Sequence, residues 1–311
     1  MADRPVSSVR RCATPIVHER LLRTAPGYRE ARERSENAAW AGARGAAAQR
    51  PGVTQIPVVV HVVHNTPEQD ISAEQVRSQI VALTADYRAR NADVDRVPEP
   101  FAPLVGDARI EFALATVDPD GNPTDGITRT ATGVAVFADD DAVKSAATGG
   151  ADPWPTDRYL NLWVAPLVEG LFGYAQMPGG PPETDGVVVA FIAFGTVGTV
   201  APPFHLGRVA THEIGHWLNL LHIWGDDGDG CNGTDFVDDT PNQAGFNLGE
   251  PEFPHITCDN GPNGDMFMNY MDFVDDVAMV MFTQGQVARM QACLDTDRPT
   301  IGAEVPGGPP P

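Results

Sequence analysis

The segment His212-Glu213-Ile214-Gly215-His216-Trp217-Leu218-Asn219-Leu220-Leu221-His222 holds the side chains best suited to chemistry. On a helix, positions i and i+4 differ by roughly 40° in direction and about 6 Å in height. His212 and His216 therefore point the same way, and their imidazoles can grip one zinc ion at about 2.0–2.1 Å. Glu213 stands beside the first of them and can reach a water on the metal without being a ligand. A catalytic zinc needs a third protein ligand and one open position. His222 supplies that ligand only if the helix stops and the chain turns sharply after His216. The turn falls at Asn219, where the backbone must take positive φ. Glycine is usual in that conformation, and asparagine is the next most tolerant residue. Two histidines and a glutamate can arise on an ordinary helix by chance. A third histidine and a turn-capable residue at fixed spacing make the metal reading much stronger.

Those side chains need elements to hold them. Ile56 to Val63 is a dense β-branched run and reads as a buried strand. Ser72 is a fair N-cap for a helix with Val76, Ile80, Leu83 and Tyr87 on one face. Arg109 to Val117 alternates as a strand and runs into the turn Asp118-Pro119-Asp120-Gly121. Leu160 to Val164 and Val187 to Ile192 are further strands. The zinc helix is expected from about Arg208 to Leu220. A last helix starts at Thr283, where Thr283-Gln284-Gly285-Gln286 resembles a capping box. The small-residue tract Ala38 to Gln49 reads as an exposed linker before Pro51-Gly52. The Pro/Gly-rich tail from Arg298 to Pro311 reads as disordered. There is no internal repeat.

The chain has 311 residues, enough for one large domain or two subdomains with a real core. Its formal net charge is -21, which argues against nucleic acid as a partner. No stretch approaches the roughly 20 apolar residues of a membrane span. Residues 1–50 hold ten Arg against five acids, whereas the remainder holds 37 acids against 11 bases. A basic leader on an acidic body reads either as a segment that docks on its own protein or as a disordered tail. The first 25 residues lack the apolar core of a signal peptide. The four cysteines, Cys12, Cys231, Cys258 and Cys293, form no CxxC pair, so cysteine-based zinc sites are not indicated. Of the other histidines, His61 and His64 face opposite sides of their strand, while His205 and His255 read as structural and His18 as a surface residue.

The zinc motif resembles the signature of the metzincins, HExxHxxGxxH followed by a Met-turn. Phe267-Met268-Asn269-Tyr270-Met271-Asp272-Phe273 looks like the Met-turn of the pappalysin family, with Met271 as the methionine beneath the metal. Arg208 to Leu221, Cys231 to Pro241, Asp265 to Asp276 and Met281 to Met290 match that family as well. The chain departs from the pattern at Asn219, which replaces glycine, and at Phe273, where relatives often carry a tyrosine.

The resemblance implies an α+β fold: a twisted, mostly parallel sheet with two long helices, an active-site helix and an irregular C-terminal subdomain. Residues 1–50 would be a pro-segment, 51–222 the N-terminal catalytic subdomain, 223–297 the C-terminal one and 298–311 a tail. It implies a disulfide between Cys231 and Cys258, with Cys293 left as a buried free thiol. That bridge favours an oxidising compartment, hence secretion. Arg11-Cys12-Ala13-Thr14 resembles a pro-segment cysteine motif, so Cys12 would be a zinc ligand in a latent form; the bland alternative is an ordinary cysteine in a tail. Asp235 and Thr240 match calcium-binding positions of relatives, although a solvated acidic loop reads equally well. An aspartate at the position of Asp276 lies at the base of the pocket for the residue after the scissile bond and favours Arg or Lys. Ala43-Arg44 and Gln49-Arg50 are candidate self-cleavage sites.

The function expected is zinc-dependent endopeptidase activity on proteins or peptides, with a zinc-activated water and Glu213 as general base. Two rivals stand beside it: a catalytically dead zinc-binding homologue, and a zinc amidase acting on a non-protein substrate. Intact Glu213 argues against the first, since a structural site has no need of that carboxylate.

Overall fold

The structure, a computed structural model, describes residues 11–43, 50, 52–228 and 230–302. Seven strands form one mixed sheet. They are β1 (Arg11–Cys12), β2 (Thr54–His64), β3 (Ile110–Leu114), β4 (Ile127–Ala131), β5 (Leu160–Ala165), β6 (Leu171–Ala175) and β7 (Val187–Ala190). Their order is β1-β6-β7-β5-β2-β3, and β4 also pairs with β2. All pairs are parallel except β6 with β7. β6, and with it the short β1 that pairs with it in parallel, thus runs opposite to the other five strands at one edge.

The valine-rich run that predicted a buried strand is the spine of this sheet. β2 pairs with β5 on one side, and with β3 and then β4 on the other. Side chains of strands alternate between faces, and here each face meets its own core. On one face Val58, Val60, Val62, Leu162 and Val189 pack with Val76, Leu83, Val209 and Ile214. These come from α3 (Ala73–Tyr87) and α4 (Arg208–Trp217). On the other face Val63, Trp163, Tyr174 and Val188 pack with Val17 and Leu21 of α1 (Thr14–Thr24). Ser72 caps α3 as expected, its hydroxyl accepting the N–H of Gln75 at 3.1 Å.

The C-terminal subdomain has few regular elements. It joins the core of α3 and α4 through Met266, Met268, Tyr270, Met271, Met281 and Phe282. α5 (Gln284–Thr296) closes it and begins with the expected capping box between Thr283 and Gln286. The disulfide between Cys231 and Cys258 is formed, while Cys12 and Cys293 are buried thiols. No helix among the described residues is long and apolar enough to cross a membrane.

Two boundaries differ from expectation. The tract expected as a linker from Ala38 is helical as far as Ala43, because α2 (Tyr28–Ala43) continues through it and buries Ala39. Alanine is the best helix former, so small residues favour a helix wherever one face can pack. Arg44 and Gln49, half of each candidate cleavage site, lie outside the described residues. The tail also begins later than composition implied. Arg298 is buried and its guanidinium holds both carboxylate oxygens of Asp185 at 2.6 and 2.9 Å. It also lies 3.7 Å from the centroid of the Trp217 ring. Ile301 is buried too, whereas residues 303–311 are not described.

Candidate metal centre and active site

Every residue of α4 is buried, so its histidines approach any ion inside the protein. The helix stops at Trp217, three residues earlier than expected, in a Schellman motif. Asn219 N–H donates to His216 O at 2.9 Å, and Leu220 N–H donates to Gly215 O at 2.9 Å. Asn219 takes φ 74°, the left-handed conformation the spacing required. The reversal brings His222 back beside the helix. Arg289 of α5 holds the turn from outside, its Nε donating to Asn219 O at 2.6 Å.

The three rings converge. His216 Nε2 lies 3.1 Å from His212 Nε2 and 3.1 Å from His222 Nε2. Each Nδ1 faces an acceptor: Tyr270 O at 2.7 Å for His212, Leu220 O at 2.8 Å for His216, and Asp226 Oδ1 at 2.7 Å for His222. Nδ1 therefore carries the proton in all three, and each Nε2 turns a lone pair inward. Three lone pairs at this spacing repel one another unless a cation lies among them. Nitrogens bound tetrahedrally at about 2.0–2.1 Å would stand roughly 3.4 Å apart, close to what is found. The donor set fits zinc.

The surroundings are built to match. Trp224 stacks on His222 with ring centroids 4.3 Å apart and planes 8° from parallel. Phe273 packs against His212 and His222 with ring centroids 5.5 and 4.9 Å apart, so an apolar ring stands beside the imidazoles. Met271 lies directly beneath α4. A Cβ on Gly215 would come within 2.5 Å of its Sδ, so only glycine lets the helix rest on this methionine. Glu213 is buried, and Gly173 of β6 makes room for it: a Cβ there would fall 2.9 Å from Glu213 Cγ.

Cys12 comes to the same place. Its Sγ and the three imidazole nitrogens all lie within 4.8 Å of one another. Burial and the Glu213 carboxylate push its thiol well above the ordinary cysteine range. Sγ donates to Glu213 Oε2 at 3.3 Å. β1 carries the cysteine in as an extra parallel strand on β6, with Cys12 opposite Gly173. Behind it, α2 lies against α5. Both carboxylate oxygens of Glu36 accept from Arg289 Nη2, at 2.6 and 2.7 Å, and Ser35 donates to Asp297 at 2.7 Å.

The remaining candidates lie apart from the imidazoles. Asp276 is buried beyond the Met-turn, its Oδ2 accepting the N–H of Leu206 at 2.8 Å and of Arg208 at 3.4 Å. It therefore sits at the head of α4. The Asp235 carboxylate accepts the Thr240 hydroxyl at 2.8 and 2.9 Å, and burial pushes it up to about 7. His61 is bonded to Thr128 and Asn161, and burial brings it down to about 4. His18 is half-buried against Tyr28 rather than at the surface. Spacing could have found Asp226, four residues beyond His222. Thr14 belonged to the Arg11-Cys12-Ala13-Thr14 motif, but nothing in the sequence gave its hydroxyl a partner; it donates to Glu213 at 3.0 Å. Nor did the sequence give a partner to Arg208, which ties α4 to the Tyr270 hydroxyl at 2.6 Å and to Met279 O at 2.7 Å.

Comparisons with known proteins show what the chain is similar to. Residues 144–295 match the family model described as Pregnancy-associated plasma protein-A. An extracellular metalloprotease of Pyricularia oryzae is 31% identical over 292 residues, covering 91% of this chain and 87% of that protein. Mature mirolysin of Tannerella forsythia, in complex with a cleaved peptide, superposes with a TM-score of 0.78 at 51% identity, over 79% of this chain and 93% of that one. A mutant of Tannerella forsythia promirolysin superposes with a TM-score of 0.86 at 46% identity, over 94% of this chain and 95% of that one.

Proposed function

We propose, since this chain belongs to the pappalysin family of metzincin metalloendopeptidases, that it is a secreted zinc protease made as a latent precursor, with Glu213 as its general base. The observation that carries the reading is the convergence of three imidazole Nε2 atoms, each with its Nδ1 already engaged, beside a buried carboxylate. His212, His216 and His222 would hold the ion. Zinc bound there acts as a Lewis acid, acidifying water and polarising the scissile carbonyl. Glu213 accepts a proton from the attacking water and returns it to the leaving amine. Phe273 has no hydroxyl to offer the developing oxyanion, so this enzyme works without that donor.

Latency would rest on Cys12, whose Sγ would join the three imidazoles as a zinc ligand while β1 covers the edge of β6. Superposition on promirolysin reaches further along this chain than superposition on the mature form, 94% against 79%, which supports reading the leader as a pro-segment. Secretion is favoured by the disulfide and by the extracellular naming of the relatives.

Substrates are proteins or peptides with Arg or Lys after the scissile bond. A carboxylate in a partly dry pocket is left without a partner by an apolar side chain but forms a charge-assisted bond with arginine. Asp276 at the head of α4 is the residue for that role. The acidic body steers basic segments inward. Asp235 and Thr240 would hold calcium, which would neutralise a buried carboxylate.

Digestion of a peptide library by the trimmed enzyme, read by mass spectrometry, tests the reading. Cleavage should stop with a strong chelator. Glu213→Ala should keep zinc and lose about 10²–10⁴-fold in turnover. Asp276→Ala should abolish the Arg/Lys preference. Chelator-resistant cleavage, or substantial turnover by Glu213→Ala, would sink the mechanism; apolar residues dominating after the cut would sink the pocket assignment.

A further inference from the structure

Thr14 stands two residues beyond Cys12 and is buried. Its hydroxyl makes two bonds of opposite sense. It accepts the N–H of Ala175, the last residue of β6, at 2.8 Å. It lies 3.0 Å from Glu213 Oε2, the oxygen that also faces the Cys12 thiol. Since Ala175 occupies a lone pair, and a carboxylate can only accept, the hydroxyl proton is aimed at Glu213.

The two contacts on Glu213 do not survive metal binding equally. A thiol that ligates zinc gives up its proton. With zinc bound, Cys12 would no longer donate to Oε2. The Thr14 contact does not depend on the metal. Its backbone supports it as well: Ala13 N–H donates to Gly173 O at 3.1 Å, and Thr14 N–H reaches Cys12 Sγ at 3.4 Å. The hydroxyl is thus held by β6 on one side and by its own helix start on the other.

We propose that the pro-segment carries a second inhibitory contact, in which the Thr14 hydroxyl occupies the proton-accepting oxygen of Glu213 while Cys12 acts on the metal. The leader disables two halves of the catalytic machinery through two residues on one short segment. Removing the thiol alone therefore leaves a precursor whose base is still engaged. This inference rests on the latency reading above and extends it.

The experiment uses the intact precursor carrying Cys12→Ala, alone and with Thr14→Val or Thr14→Ser. Initial rates are read on a short fluorogenic peptide, with the precursor's mass checked to be uncut. Thr14→Val should raise the rate of the Cys12→Ala precursor about tenfold, which is ~1.4 kcal/mol; Thr14→Ser should not. A second reading is independent of activity. Thermal unfolding of zinc-loaded precursors with Thr14→Val, Glu213→Ala and both together should show coupling between the two positions. Equal costs of Thr14→Val with and without Glu213, or equal rates for the Cys12→Ala precursor and its Thr14→Val double variant, would overturn the second contact. A trimmed wild-type enzyme without activity would overturn the protease reading beneath it.

Discussion

Of the three acceptors that orient the zinc imidazoles, only Asp226 is a side chain; the other two are the backbone carbonyls of Tyr270 and Leu220. Its removal isolates what orientation of one ligand contributes. The Asp226 carboxylate accepts the His222 Nδ1–H at 2.7 Å, which holds the ring's tautomer and orientation. Losing such an outer partner costs about 10–100-fold in metal affinity. The Asp226 side chain is 37% exposed, so solvent screens its charge and water can replace part of the bond. Trp224 also holds the ring by stacking. Both facts place Asp226→Ala at the low end, about tenfold, or ~1.4 kcal/mol. Asp226→Asn keeps an acceptor oxygen but no charge. Neutral hydrogen bonds are roughly half as strong as charged ones, so its loss should be about threefold. The assay is competition for zinc with a chromogenic chelator, on the trimmed enzyme so that Cys12 is absent. Affinities for wild type, Asp226→Asn and Asp226→Ala that agree within twofold would refute the argument that Asp226 supports the site.

Asn219→Gly should stabilise the protein by about 1 kcal/mol. It relieves a left-handed non-glycine residue and removes a buried side-chain amide that has no hydrogen-bond partner among the described residues, against a smaller cost in unfolded-state entropy. Calorimetry should show a Tm rise of about 2–4 °C; a fall would mean that the amide's packing outweighs its desolvation. Thiol counting on denatured, non-reduced protein should find two free cysteines, and replacing the 27-residue Cys231–Cys258 link by serines should cost about 3–4 kcal/mol. The Asp235 carboxyl is pushed up to about 7 when folded, above its ordinary unfolded range near 4. The folded state therefore holds the extra proton, and this group's contribution to stability is present at low pH and lost as pH rises from about 4 to about 7. Calcium should offset that loss, so its effect on Tm should be larger at pH 8 than at pH 5; no shift with millimolar calcium at either pH would leave the loop without an ion.

The zinc motif was legible because its requirements are local. Side chains four apart share a helix face, and a residue tolerant of positive φ must follow before the third ligand. His212, His216, Asn219 and His222 meet those demands within one short segment. The buried spine of the sheet was legible for a similar reason, since β-branched runs fit only a few environments. Residues whose meaning depends on a distant partner were not legible. Nothing near Arg298 in sequence announces Asp185 and Trp217, so its Pro/Gly-rich neighbours made it look like tail. Ala38 to Ala43 looked like linker until α2 found α5 to lie against. Thr14 and Glu213 are separated by 199 positions, and their meeting is a product of β1 adding to β6. Helix and turn preferences act over a few residues, and the sequence determined them alone. Which helix covers which face, and which hydroxyl reaches the base, depends on burying the whole core at once, and only the tertiary structure decided it.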